Sequence, residues 1–346
     1  MALNQFVVFD SSMSNSYSYS VYVTLGTVVS GVVAGTADPL LANTTWRQAT
    51  TMAAVVGGFI VQQLNQDAID SGNTLALLPQ FTAAVQSLGR IMLGSNLALY
   101  VNPSTGSDTN NGQAATPWQS LQHAWAVIQQ SFDFAGYTIT LHMADGIYTS
   151  GLIASGPLHG ALGAGSLVIV GNTGTPTNVT FNFLGNGVVA QSGAGMTVSG
   201  INFAGLTGTG QNGNGLIAGT GGIINIGTGV VFGTCMAAHM LAQQGGQIVA
   251  AQPYTIAGGA GNHMIANGGG SEIIIQQPVT LTGTPAFAIQ FAKADILGEI
   301  SLIGATYSGA ATGVRYIANG NAVINSGGNT LPGSAAGSVM SGGLFL

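Results

Sequence analysis

Charge is what this chain has least of. Of 346 residues only four are Lys or Arg and ten are Asp or Glu, 4% in all, against roughly 25% in an ordinary soluble protein. A formal charge of −6 leaves too few cations to neutralise a phosphate backbone, which argues against nucleic acid as a partner. One cysteine, Cys235, excludes an internal disulfide framework and suits assembly in a reducing compartment. No apolar run approaches the roughly 18 residues of a membrane-crossing helix. The nearest, Met52 to Val61, is ten residues long and holds two glycines, so membrane insertion is not expected. The opening Met-Ala-Leu-Asn-Gln-Phe has no basic stretch before an apolar core, so export through a secretory signal is not expected either.

Glycine is abundant, at 55 residues, and Asn, Gln, Ser and Thr supply polarity without charge. Up to about Leu41, alternation such as Tyr17, Tyr19, Val21 and Val23 with Ser18, Ser20 and Tyr22 between them predicts a small β element. Between Thr45 and Leu88 the period becomes helical, with Met52, Val55, Val56, Phe59, Ile60 and Leu64 on one stripe and Leu77, Leu78, Phe81, Val85 and Leu88 on another. Asp70-Ser-Gly-Asn73 predicts the break between them. Two short amphipathic helices cannot cover both stripes alone, so residues 1–95 read as an α/β attachment and oligomerisation region. Residues 96–160 read as strand, turn, helix, strand. Ser120 starts a helix whose Leu121, Ala124, Trp125 and Ile128 share one face, an apolar face suited to capping an open end.

Residues 161–346 carry a weak repeat in which an alternating strand runs into a glycine, at Gly185, Gly205, Gly233, Gly258, Gly283, Gly304 and Gly333. A second strand precedes some instances, as in Gly222-Ile-Ile-Asn-Ile226 and Glu272-Ile-Ile-Ile275. The recurring order strand, strand, glycine at solenoid spacing predicts coils of a parallel β-solenoid. Six intervals at about 4.8 Å give a stack of roughly 30 Å. The Gly-Gly-Leu-Phe-Leu346 end is expected to be buried against sister subunits or another partner, because open strand edges need cover.

Tyr100-Val-Asn-Pro-Ser-Thr-Gly-Ser-Asp108, Pro117-Trp-Gln-Ser-Leu-Gln-His-Ala124, Asp145-Gly-Ile-Tyr148 and Ile169-Val-Gly-Asn-Thr-Gly-Thr-Pro176 resemble the opening segment of pectate-lyase-like β-helices found in many phage tail fibres and tailspikes. The resemblance covers about a quarter of the chain. It implies a mainly β fold, a right-handed parallel β-helix preceded by a small N-terminal region. It also implies homotrimers in a virion assembled in the host cytoplasm, with residues 1–95 joined to other phage tail or capsid proteins. No large C-terminal receptor-binding domain is recognisable after the coils, which leaves a short fibre or adaptor subunit as the expectation.

Glycan hydrolysis needs two carboxylates facing across a cleft, and lyase chemistry a base with a cation. From Gly146 to Ser271 there is no Asp, Glu, Lys or Arg, so the expected role is a non-enzymatic one in virion attachment to the host surface. The alternative, a tailspike that binds and cleaves surface polysaccharide, would rest on Glu272, Asp295 and Glu299. Glu272 and Asp295 are read as equivalent positions in successive coils. Tyr307, Arg315 and Tyr316 are candidates for glycan contact, while Trp46, Trp118 and Trp125 read as structural.

No cofactor or metal is expected. Asp108-Thr-Asn-Asn-Gly112 lacks the rest of a calcium-loop ligand set, and Gly208-Thr-Gly-Gln-Asn-Gly213 matches a dinucleotide fingerprint only as a string. Cys235 and His239 make too few ligands for zinc. His123, His142, His159 and His263 are scattered.

Overall fold

The computed structural model describes the chain except residues 1, 5, 7, 31–34, 36–37, 72 and 209–211. The dinucleotide-like string therefore falls partly outside the described residues. Contacts divide the chain into Met1–Ile91 and Met92–Leu346.

In the first unit the expected β element is replaced by two short helices, Tyr19–Tyr22 and Gly26–Ser30. Among the described residues the alternating segment has no strand to pair with. Instead the Tyr17 N–H donates to Thr44 Oγ1 at 2.8 Å and the Tyr17 hydroxyl to Asp38 at 3.0 Å, which ties the segment to a long helix. That helix, Pro39–Leu64, starts on Asp38, whose carboxylate accepts from the N–H groups of Leu40 and Leu41, and stops at Asn65 with φ 52°. A second helix, Thr74–Gln86, is capped by Asn73, so the break falls at the predicted Asp70–Asn73. Ile60, Ala68 and Ala84 form a small core.

The second unit is a parallel β-solenoid. Its first sheet has ten strands, from Leu97–Val101 to Leu344–Phe345; its second has seven, from Gly146–Tyr148 to Thr306–Ser308; its third has eight, from Leu152–Ser155 to Ser338–Met340. Among the described residues seven coils supply a strand to all three sheets. They begin at Ile139, earlier than the glycine repeat indicates. Gly205, Gly233, Gly258 and Gly283 do follow second-sheet strands, whereas Gly304 follows the first-sheet strand Glu299–Ser301. Phe181, not Phe183, pairs with Phe203, so the instance ending at Gly185 is two residues out of step.

Stacked coils put like on like. Ile224, Ile248, Ile273, Ile300 and Ile324 form an inward ladder on the first sheet. On the second, Tyr148, Phe181, Phe203 and Phe232 stack with centroids 5.6, 5.4 and 5.7 Å apart, each pair adding about 0.5–1.5 kcal/mol to simple burial. On the third, Ala154, Ala190, Ala218, Ala242, Ala266, Ala294 and Ala318 are in register. The small side chain fits the tight corner that follows. There the residue four places on is often a glycine pressed onto the preceding coil: a Cβ at Gly246 would lie 2.1 Å from the carbonyl oxygen of Ala218.

The helix Leu121–Ser131 buries Leu121, Ala124, Trp125 and Ile128 as the spacing predicts. Its glutamines complete the edge of the third sheet. Gln122 donates to the Ile153 carbonyl at 3.1 Å and accepts the Ile153 N–H at 2.9 Å, and Gln129 donates to Ser155 O at 2.7 Å. Side-chain amides thus stand in for the missing neighbouring strand. Asp108 holds the helix start, accepting from the N–H groups of Gln119 and Ser120 and from the Ser120 hydroxyl. Partial burial pushes its carboxyl up, but those bonds outweigh it and keep the group below the usual carboxylate range.

Candidate functional site

The outer face of the third sheet is unusual. Outward-facing residues of the successive strands pair as Ile153, Val189, Ile217, Leu241, Ile265, Lys293 and Ile317. Such a row should face solvent, yet Val189, Ile217 and Leu241 are only 8, 6 and 5% exposed. Two rows of side-chain amides cover them. One wall includes Asn186, Asn212, Asn214 and Asn262, and the other Gln191, Gln243, Gln244 and Asn267.

Between the walls lie two adjoining hollows of about 340 and 270 Å³, both lined by Asn212 and Leu241. Together they make a groove crossing several coils, with an aliphatic floor and amide sides. Asn186 fixes part of one wall, accepting from Asn214 Nδ2 at 3.0 Å and donating to Asn212 Oδ1 at 3.1 Å. Other amides are left open. The Oδ1 atoms of Asn262 and Asn267 are buried with no hydrogen-bond partner, as is Gln290 Oε1 on the strand beside them. An unmade bond at a buried acceptor costs about 1–3 kcal/mol, so both walls are built at the expense of stability.

The sequence-derived candidates fall in three places. Asp295 stands at one end of the groove in register with Asn267 and Asn319. It pairs with Lys293 at 3.1 Å and accepts from Asn319 Nδ2 at 2.9 Å. Partial burial raises its carboxyl, but the lysine and the amide outweigh this and hold it below its ordinary range, which makes it a poor proton donor.

Glu272 is not its equivalent. Glu272 belongs to the first sheet, in register with Gln247 and Glu299, and accepts from Gln247 Nε2 at 2.7 Å. The corner between the third and first sheets separates it from Asp295, so the true coil neighbours are Glu272 with Glu299 and Asn267 with Asp295. Glu272 opens the first-sheet strand Glu272–Ile275, whereas Asp295 closes the third-sheet strand Ala286–Asp295.

Tyr307, Arg315 and Tyr316 pack inward. Tyr307 meets Phe291 edge-on at 5.6 Å, and burial pushes its hydroxyl well up. Tyr316 lies flat on Phe345 at 3.7 Å, with Gly337 against its ring. The Nε of Arg315 is buried without a partner. None of the three is a groove-lining residue.

Sequence reading missed a polar chain inside the core. His239 Nε2 lies 2.9 Å from Gly233 O, its Nδ1 2.9 Å from His263 Nδ1, and His263 Nε2 2.8 Å from the Tyr254 hydroxyl. One assignment satisfies every atom: His239 Nε2–H donates to the carbonyl, His263 Nδ1–H donates to His239, and Tyr254 O–H donates to His263. Both imidazoles are then neutral, and burial pushes the His239 pKa down to about 4 and that of His263 well below its ordinary value. The signal was present, since His239-Met-Leu-Ala and His263-Met-Ile-Ala are the same motif one coil apart. Cys235 is buried too, its thiol pushed up to about 12 by burial.

No three His, Cys, Asp or Glu side chains come together as a metal site among the described residues, and no described helix is long and apolar enough to cross a membrane. No family model, curated protein or solved structure matches the chain.

Proposed function

We propose that this chain is a non-enzymatic structural subunit of a phage tail, a short fibre or a fibre-to-baseplate adaptor, that helps hold the virion to the host surface. The observation that carries the reading is an uncharged contact face. The groove on the third sheet is walled by amides, and Asp295, the carboxylate at its end, is paired with Lys293. Such a face suits contact rather than proton transfer, which needs a pair of titrating groups across a cleft.

Two further features support it. The motifs between Tyr100 and Pro176 resemble those of phage β-helix proteins. The helical unit also exposes Trp46, Met52 and Val55 on its long helix and Leu75, Leu78 and Val85 on the shorter one, an apolar display that calls for cover. In this reading residues 1–95 attach to tail or capsid proteins and the solenoids assemble as trimers.

Mass spectrometry of purified particles tests the location, and light scattering of the isolated chain tests the stoichiometry. The chain should be a stoichiometric particle component and trimeric at micromolar concentration. Absence from particles would overturn the reading.

A further inference from the structure

We infer that Asn319 is a site of spontaneous deamidation, at which a corner joining successive coils gains a carboxylate and loosens. The inference goes beyond the proposed function and does not depend on it.

Deamidation begins when the backbone nitrogen after an asparagine attacks the side-chain carbonyl carbon, and glycine favours the step because it has no Cβ to crowd the approach. Asn111, Asn186, Asn212, Asn214, Asn267 and Asn319 each precede a glycine. In the first five the attacking nitrogen is engaged. Gly112 N–H donates to Thr116 O, Gly187 to Asn214 O, Gly213 to Gly185 O, Gly215 to Ala238 O and Gly268 to Asp295 O, at 2.8 to 3.1 Å. Each must break a backbone hydrogen bond before its nitrogen can lose a proton and turn to the side chain. Gly320 is the exception, since among the described residues its N–H has no partner. The carbonyl of Met340, the register partner of Asn319, takes the Gly343 N–H instead. Asn319 and Gly320 are both partly exposed, so water has access to the reacting atoms.

The Gly320 nitrogen gives its proton to solvent and bonds to Asn319 Cγ, the Cγ–Nδ2 bond breaks, and Nδ2 takes a proton from solvent and leaves as ammonia. Water then opens the succinimide ring at either carbonyl, leaving aspartate or β-linked isoaspartate at 319. The corner is sensitive to this change. Asn319 Nδ2 donates to Asp295 Oδ1 at 2.9 Å, and the two residues are register partners. The product removes that donor and sets one carboxylate beside another, while Lys293 is already paired with Asp295. The Ile296 and Leu297 N–H groups also donate to the carbonyls of Asn319 and Gly320, at 3.2 and 3.0 Å. These bonds help hold two non-glycine residues at φ 48° and 63°, a conformation their side chains resist. A β-linkage adds a carbon to the backbone at that point and moves both acceptors.

The test is incubation of the full chain at neutral and mildly alkaline pH, followed by peptide mapping with mass spectrometry. Trypsin cuts after Arg315 and so separates Asn319 from the other five sites. Asn319 should convert at least roughly fivefold faster than any of the others, because it alone has no hydrogen bond to break, and faster as pH rises. In urea, which frees every glycine N–H, the six rates should level. The melting temperature of the native chain should fall as Asn319 converts. Asn319→Asp should start at a lower melting temperature, whereas Asn319→Gln, whose longer side chain cyclises far more slowly, should hold its own through the incubation.

A rate at Asn319 no higher than at the other five, or a lead that persists in urea, would overturn the site. An Asn319→Asp chain as stable as the native one, or an Asn319→Gln chain that loses stability as fast as the native one, would overturn the loosening of the corner.

Discussion

His239 and His263 face each other Nδ1 to Nδ1 at 2.9 Å in the middle of the solenoid, both buried and both neutral. Phe232, Phe287 and Phe291 pack around them, and Tyr254 closes the chain of hydrogen bonds. Among the described residues no carboxylate hydrogen-bonds to either ring to compensate a positive charge.

Folding stability should therefore fall with acid. The His239 pKa is about 4 in the fold against 6.5 without it, so between these values the unfolded chain binds more protons. The native state keeps its full advantage above pH 6.5 and loses about 1.4 kcal/mol per pH unit, roughly 3 kcal/mol by pH 4. His263 acts in the same direction. Urea melts from pH 7.5 to 4.5 would show the slope in the native chain and a smaller one in a His239→Gln/His263→Phe variant. A flat native profile would refute the assignment of two neutral imidazoles.

Gln122 and Gln129 act as a substitute strand on the edge of the third sheet. Replacing Gln122 by Leu leaves the exposed Ile153 N–H and C=O to water and should cost about 0.5–1.5 kcal/mol for each bond lost. The bared edge should also self-associate. Chemical denaturation would measure the first effect and light scattering during refolding the second.

Two adjacent glycines should respond differently to alanine. Gly245 has φ +78° and open space around its Cβ, so Gly245→Ala should cost only the left-handed strain of about 1–2 kcal/mol. Gly246→Ala drives a methyl into the Ala218 carbonyl and should cost about 3 kcal/mol, at the upper end of overpacking. Paired denaturation curves of the two variants would test the order.

The native chain and a variant with Glu272 and Asp295 converted to amides should both leave host polysaccharide unchanged in size. Asp295 is engaged in a partly exposed ion pair worth less than about 1 kcal/mol, so the double variant should also melt close to the native chain. Size-exclusion profiles of polysaccharide that shorten with the native protein and not with the variant would establish cleavage and displace the contact reading.

Much of the architecture was legible locally. Helical periods at Met52–Leu64 and Leu77–Leu88, the Ser120 start signal and the alternating strands before Gly205, Gly233, Gly258 and Gly283 depend on neighbours a few residues away. The Tyr17–Val23 segment was not, because four alternating positions specify a strand only when a partner strand exists. The groove was hidden for another reason. Asn186-Gly-Val-Val-Ala-Gln191 and Asn262-His-Met-Ile-Ala-Asn267 share one pattern, but coils of unequal length lie between them, so aligning on glycines concealed it.

The amino-acid sequence by itself determined that the chain would build a parallel solenoid with an almost uncharged surface and a separate helical unit, since composition and short-range periodicity fix both. Only the tertiary structure decided which residues meet. Coil-to-coil register put Glu272 above Gln247 rather than beside Asp295, brought His239 to His263, and sank Leu241 between amide walls. Register is set by how each coil packs on the last, with every loop absorbing its own excess length, and no local pattern in the sequence records that.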